Sequence, residues 1–313
     1  CRLNYYASKL VGPPAFPLIG SAFYFYGGTQ STQVKSLNLL MNSNPVSEIF
    51  ETAMRIAEKY KPLFKFWCGT KFVVIITDPE DVKIILNSCL EKDNYYEFAI
   101  PALGYGLITL PAREWSRHRK IIIESKKRAK YQMKDFYDGI AKKKVLLDHL
   151  IDLTYKEGNW SDKELKEEIK TIITAGSETT ASTVGYVLTI LGMRQDIQDL
   201  VLEEIDSITG SSGKDIAVED LSKMTYLDRV IKETLRLFPI VGMIGRYLDN
   251  NINLKNCILP RGSSVGIPII FIHRLPEFWA NPLMFDPDRF LPEEVAKRHP
   301  YTFLPFSGGP RNC

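Results

Sequence analysis

The chain has 313 residues, 45% hydrophobic and 25% charged, the balance of an ordinary globular protein and not of a disordered or fibrous one. Its 40 basic and 37 acidic residues leave a formal net charge of +3; they are spread along the whole length, so no global field points to nucleic acid as a partner. Five cysteines, at positions 1, 68, 89, 257 and 313, form no C-x-x-C pair and no zinc-like spacing, as expected for a reduced, cytosol-facing compartment.

The first twenty residues read as a linker. After a polar start, Gly12-Pro13-Pro14-Ala15-Phe16-Pro17 cannot continue a helix, because proline lacks the amide donor and restricts the residue before it. Two β-rich runs, Phe64-Lys65-Phe66-Trp67 and Phe72-Val73-Val74-Ile75-Ile76, flank a tight turn at Cys68-Gly69-Thr70-Lys71. Asp78-Pro79 then opens a helix running to Leu86, with Asp78 as N-cap and Pro79 at the first helical position. Ser161-Asp162-Lys163-Glu164 is a capping box ahead of apolar Leu165, Ile169, Ile172, Ile173, Val184, Val187, Leu188 and Leu191, which predicts one long buried helix. Two more helices are predicted over 196–208 and 220–238, the second stopped by Pro239. Nine of the 18 prolines fall at or after Pro260, so the last segment is expected to be loop with short strands. Without an internal repeat or low-complexity linker, 1–313 is assigned as a single mixed domain.

Four constellations carry possible chemistry. In Phe306-Ser307-Gly308-Gly309-Pro310-Arg311-Asn312-Cys313 a cysteine follows a glycine-rich turn, whose bare backbone can approach a flat cofactor and aim amides at a thiolate. A buried Gly-Pro turn with an inert cysteine accounts for the same residues equally well. In Ala175-Gly176-Ser177-Glu178-Thr179-Thr180 a mid-helix glycine and competing hydroxyls weaken the long helix, so a groove or bulge is expected, with an acid beside a hydroxyl suited to proton delivery. A small-residue crossing point between helices is the competing reading. Glu233 and Arg236 stand at i, i+3, and Arg289 in Pro287-Asp288-Arg289-Phe290 offers a second guanidinium for a buried Arg-Glu-Arg network. Trp115 and Arg119, four apart on a predicted helix, and Arg246 after Pro239 are donors matched to carboxylates; taken singly, each also reads as a core tryptophan or a surface charge.

In their order along the chain these constellations resemble the cytochromes P-450: F-x-x-G-x-R-x-C at 306–313, the oxygen-activating helix motif at 175–180, and E-x-x-R at 233–236. Leu235-Arg236-Leu237-Phe238-Pro239, Ile244-Gly245-Arg246, Ile272-His273-Arg274 and Phe285-Asp286-Pro287-Asp288-Arg289-Phe290 look like the animal microsomal family 4, whose members include fatty-acid ω-hydroxylases. The resemblance implies a mainly α fold with small β-sheets (α+β), incomplete here, with 1–20 as linker and 306–313 as haem-ligand loop. It implies haem b (iron protoporphyrin IX), with Cys313 as axial ligand to the iron, Phe306 packed by the thiolate, and Trp115, Arg119, Arg246 and Arg311 on the propionates. Glu178 and Thr179 would deliver protons, and Glu233, Arg236 and Arg289 would be structural. Ala175 stands where family 4 often carries a glutamate that esterifies haem, so no such covalent tie is expected.

The implied activity is that of an oxidoreductase, a monooxygenase inserting one atom of O2 into an apolar small molecule such as a fatty acid, a steroid-like compound or a xenobiotic. Electrons would come from NADPH through a flavoprotein reductase. The implied location is the endoplasmic reticulum membrane (microsomes), through an N-terminal anchor ahead of Cys1; no apolar run in the chain approaches the roughly 20 residues of a spanning helix. Between 115–123 and the helix leading to Trp160 the family normally has on the order of a hundred residues, including helices that roof the substrate pocket, and here that interval is nearly absent. The short basic stretch 124–130 stands there, and 134–153 resembles the helix before the oxygen-activating one. The chain is read as incomplete at both ends. Two rival readings stay open: a haem-thiolate rearrangement enzyme without external electrons, and a truncated, catalytically inactive fragment or isoform.

Overall fold

The hairpin expected from the two β-rich runs is formed by β1 (Leu63–Cys68) and β2 (Lys71–Ile76), antiparallel with Cys68 opposite Lys71. Gly69 takes φ 60° in the turn, a left-handed value that glycine adopts without a Cβ clash. Although residues 72–76 are all apolar, burial alternates along β2: Phe72, Val74 and Ile76 enter the core while Val73 and Ile75 stay half-buried. The computed structural model describes residues 2–15, 21, 45–137, 145–210 and 215–313; part of the proline run (16–17) and part of the helix expected at 134–153 lie outside them. Two compact units are formed, one by Cys1–Leu90 with Ser182–Cys313, the other by Glu91–Ala181.

In the first unit β2 pairs in parallel with β6 (Ser264–Ile267), and β6 is antiparallel to β3 (Ile244–Tyr247), giving the order β1-β2-β6-β3. A second, two-stranded sheet joins β4 (Ile252–Asn253) to β5 (Ile258–Leu259). The stretch expected as linker carries a helix, α1 (Arg2–Lys9), with buried Ala7 in the same core as Phe72, Val74 and Ile76. Lys65 ties it to β1 through Nζ to Ala7 O (2.8 Å) and its own amide to Val11 O (2.9 Å). Helix α2 (Pro45–Tyr60) packs Ile56 and Ala57 on Phe64, Phe271 and Leu275. Helix α3 (Pro79–Ser88) starts as expected, with the Asp78 carboxylate accepting from the amides of Glu80 and Asp81.

Two short interruptions separate the later helices. An α-helix was expected from 220, but Val218–Lys223 is a 3-10 turn and the helix, α9, spans Thr225–Leu237. Asp220 returns its carboxylate to the Ala217 amide (3.1 Å) and closes the turn. The orphan amides of Tyr226 and Leu227 go to Glu204 (2.7 and 2.9 Å) of the preceding helix α8 (Gln195–Thr209), so the cap comes from a neighbouring element and not from local sequence. After Pro260 the chain is turn-rich, with short helices α10 (Ile269–Ile272) and α11 (Pro292–Ala296).

The second unit holds α4 (Ile100–Leu103), α5 (Ala112–Tyr137), α6 (Leu146–Tyr155) and the N-terminal part of α7 (Asp162–Met193), which continues into the first unit. The capping box is present: Ser161 N–H and Oγ donate to Glu164 Oε2 (both 2.8 Å), and the Glu164 amide returns to Ser161 Oγ (3.3 Å). Ile122, Leu150, Trp160 and Leu165 form its core. The described residues are thus mainly helical with two small sheets. Among them no helix is long and apolar enough to cross a membrane.

Candidate functional site: the cysteine loop and its supports

In the first unit the loop 304–313 leaves the thiol of Cys313 exposed at the surface. Its backbone is wound on itself: amides of Ser307, Asn312 and Cys313 donate to Leu304 O, Gly309 O and Phe306 O, at 3.1, 3.2 and 3.1 Å. These three amides therefore serve the turn and not the sulfur. The glycines also serve packing within the protein. A Cβ on Gly309 would lie 2.1 Å from Leu86 O, and one on Gly308 would lie 3.0 Å from Tyr301 Cε1, so their bareness lets the loop settle on α3 and its neighbours. Ser307 is held at φ 63°, unfavourable for a residue with a side chain, and its hydroxyl is buried without a partner. Such strain persists only where the surroundings over-determine it, and it collects at functional sites.

Two of the predicted arginines converge on one segment. Arg311 Nη1 donates to Leu90 O (2.6 Å) and Arg246 Nε to the adjacent Cys89 O (3.1 Å), just past the C-terminus of α3. Both are buried, at 5% and 1% exposure, so guanidinium charge is concentrated beside the loop. Cations there also complement the negative end of the α3 dipole. Burial, reinforced by Asp249 and opposed by Arg246, pushes the Cys89 thiol up to about 11, which makes it inert. Burial raises Cys257 as well; among the described residues Cys68, at the end of β1, and Cys313, on the strained loop, are the exposed thiols. Phe306, 60% exposed, accepts the Cys313 amide and so sits beside it.

The expected Arg-Glu-Arg arrangement exists. Glu233 accepts from Arg236 Nε (2.6 Å) and Nη2 (2.7 Å) and from the Asp286 amide (2.9 Å), with Arg289 Nε at 3.4 Å. Arg236 also holds the loop beyond α10, donating to His273 O (2.8 Å), Pro282 O (2.7 Å) and Met284 O (3.2 Å). Its guanidinium carbon lies 5.1 Å from the ring centre of Trp279. Glu233 and Arg236 are fully buried, where a pair persists only with close hydrogen-bond matching; here every Arg236 nitrogen donates to an acceptor.

In the second unit Trp115 is buried on α5 and Arg119, one turn on, sits over its ring at 5.6 Å. Between them His118 is buried, with Nδ1 2.7 Å from Glu168 Oε1 on α7. Sequence reading missed this pair, whose partners are fifty residues apart and carry no local signal. Burial alone would raise the nearby Glu164 carboxyl, but the Ser161 amide and hydroxyl and Arg117 hold it down at about 2. On α7 itself the expected bulge is absent: 162–193 is unbroken helix. Ser177 and Thr179 hydroxyls donate to Ile173 O and Ala175 O (both 2.6 Å), doubling existing carbonyl acceptors without displacing the helical ladder. Ala175 and Thr179 share a half-buried face and Glu178 is exposed.

A family model for cytochrome P450 matches residues 35–145 and 122–313, nearly the whole chain. The chain belongs to the cytochrome P450 family. Cytochrome P450 4g15 of Drosophila melanogaster is 42% identical over 177 residues, covering 56% of this chain and 31% of that protein. Cytochrome P450 4c3 of the same fly is 38% identical over 213 residues, 67% and 40% of the two chains. Human cytochrome P450 4V2 is 40% identical over 173 residues, 55% and 33%. The matches thus bear the family 4 names that the motifs suggested, and they cover less than half of each relative's length. Among the described residues of this cytochrome P450 no three His, Cys, Asp or Glu side chains cluster around a metal position.

Proposed function

We propose that this chain carries the haem-binding part of a haem-thiolate monooxygenase, with Cys313 Sγ as the axial ligand. The observation that supports this best is the exposed cysteine of a strained loop that is fastened beside two buried arginines. Those residues fit a flat, dianionic iron group: a single sulfur for the metal, and guanidinium donors for carboxylates.

Haem b would supply the redox and oxygen chemistry when bound. Arg246 and Arg311 would hold propionates through N–H donors already oriented by Gly245, Cys89 and Leu90 carbonyls. Trp115 and Arg119 would do the same from α5. Phe306 would shield the thiolate from water, keeping it an electron donor. The Glu178 carboxylate, open to solvent, would take up protons, and Thr179 Oγ1 would pass them on; its own proton is directed to Ala175 O, which leaves the oxygen lone pairs as acceptors. The substrate would be an apolar small molecule, the electrons would arrive from NADPH through a flavoprotein reductase, and the complete protein would act at the endoplasmic reticulum membrane.

The test is the reduced, CO-bound absorption spectrum of the haem-reconstituted chain and of Cys313→His. A thiolate-type spectrum that disappears in the variant is expected. Its survival in Cys313→His would move the ligand elsewhere, and a wild-type chain that takes up no haem would favour the inactive fragment.

A further inference from the structure

His273 lies between the buried ion network and the cysteine loop. It is fully buried, its ring packed near Phe303 (5.3 Å between centroids) and edge-on to Trp279 (6.5 Å). The Leu304 amide donates to Nε2 at 2.8 Å, which requires a bare, accepting Nε2. The ring proton must then sit on Nδ1, which faces Arg236 O at 3.2 Å and donates to it. The tie is reciprocal, since Arg236 Nη1 donates to His273 O. Leu304 is the residue from which the loop departs: it is 3% exposed, and its carbonyl takes the Ser307 amide. On its far side the loop is fastened to α3 through Arg311 and Gly309.

We propose that His273 is a positioning residue for the Cys313 loop, a neutral imidazole that ties the Leu304 amide to the main chain of Arg236. The loop is then clamped at both ends, and the strained Ser307 turn between the clamps cannot relax and carry the sulfur away. Burial, with Arg236 and Arg274 nearby, disfavours the charged ring, so Nε2 stays an acceptor at neutral pH. The importance of the clamp for iron ligation rests on the haem-thiolate reading, but the clamp itself can be measured without haem.

Hydrogen–deuterium exchange of the full chain, wild type and His273→Phe, followed by mass spectrometry, tests it. Phenylalanine keeps the ring and removes both hydrogen bonds. An orphaned buried donor predicts roughly ten- to hundred-fold faster exchange in peptides covering 304–313, with β2 and α3 peptides unchanged. His273→Gln, whose amide oxygen can reach the Leu304 N–H, should restore most of the protection, whereas the shorter His273→Asn should not. Haem-loaded His273→Phe should also lose its thiolate-type spectrum faster on standing than wild type. Unchanged loop exchange in His273→Phe, or equal acceleration of β2 and the loop, would overturn the proposal. Should the phenylalanine variant not fold, equal loop protection in the Gln and Asn variants would overturn it. A wild-type chain lacking a thiolate spectrum would sink the haem reading while leaving the exchange result to stand by itself.

Discussion

Two stretches of this chain set glycine among hydroxyl or thiol side chains, 175–180 on α7 and 306–313 at the cysteine loop, and they are held in opposite ways. On α7 the bonds are local: the Ser177 and Thr179 hydroxyls each return to a carbonyl four residues back, and a Cβ on Gly176 would meet nothing within 4 Å. The cysteine loop is held by distant residues, through Leu90 O and the His273 ring, and packs closely on Leu86 at Gly309. A helix supplies its own order, whereas a strained loop must borrow it from the core. It follows that the loop should respond to changes far from it, and α7 only to changes within it.

The largest expected effect is at Glu233. Glu233→Ala leaves Arg236 and Arg289 buried without their carboxylate and should destabilise the first unit by about 3–5 kcal/mol. Chemical denaturation would read this, and the loop should loosen with it. A variant that melts like wild type would disconnect the network from the loop and break the comparison.

Acid should act next. Burial, then Arg236 and Arg274, brings His273 down to about 3 from an ordinary 6.5. Because the folded value is depressed, the stabilisation of the neutral ring is present above pH 6.5. It is lost as pH falls through the window from 6.5 toward 3, by about 1.4 kcal/mol per pH unit. Wild type should therefore lose stability over this window more steeply than His273→Gln, by one proton in the linkage slope.

The smallest effects sharpen the contrast by their sign. Gly309→Ala places a Cβ against Leu86 O at a residue with φ 71° and should cost about 1–3 kcal/mol. Gly176→Ala, on the open face of α7, should stabilise by up to ~1 kcal/mol. Thermal melts of the two variants moving in the same direction would show that both glycines serve the same end.

What the sequence made legible follows the same division. The β1–β2 hairpin, the Asp78 cap, the Ser161–Glu164 box and the pairing of Glu233 with Arg236 are written within a few residues of each other, and each is found. The start of α9 was misread because its cap, Glu204, comes from another helix. The glycines of the loop read as making room for a cofactor; that they also let the loop lie against Leu86 and Tyr301 depends on residues far away in sequence. His273 was visible within the motif Ile272-His273-Arg274, yet nothing local says that both its nitrogens are engaged; that depends on Leu304, thirty-one residues on.

Several of the acceptors that orient three buried arginines of the first unit are main-chain carbonyls: Cys89, Leu90 and Gly245 for Arg246 and Arg311, and His273, Pro282 and Met284, beside the Glu233 carboxylate, for Arg236. A carbonyl survives any substitution at its own position, since every amino acid carries one. The donors have no such freedom, because lysine lacks the planar fork that reaches two or three acceptors at once. Tolerance to mutation should therefore be lopsided: Leu90, Pro282 and Met284 can drift in side-chain identity without undoing the scaffold, while an arginine exchanged for lysine undoes it. Much of the scaffold around Cys313 is written in its arginines, with Glu233 and His273 beside them.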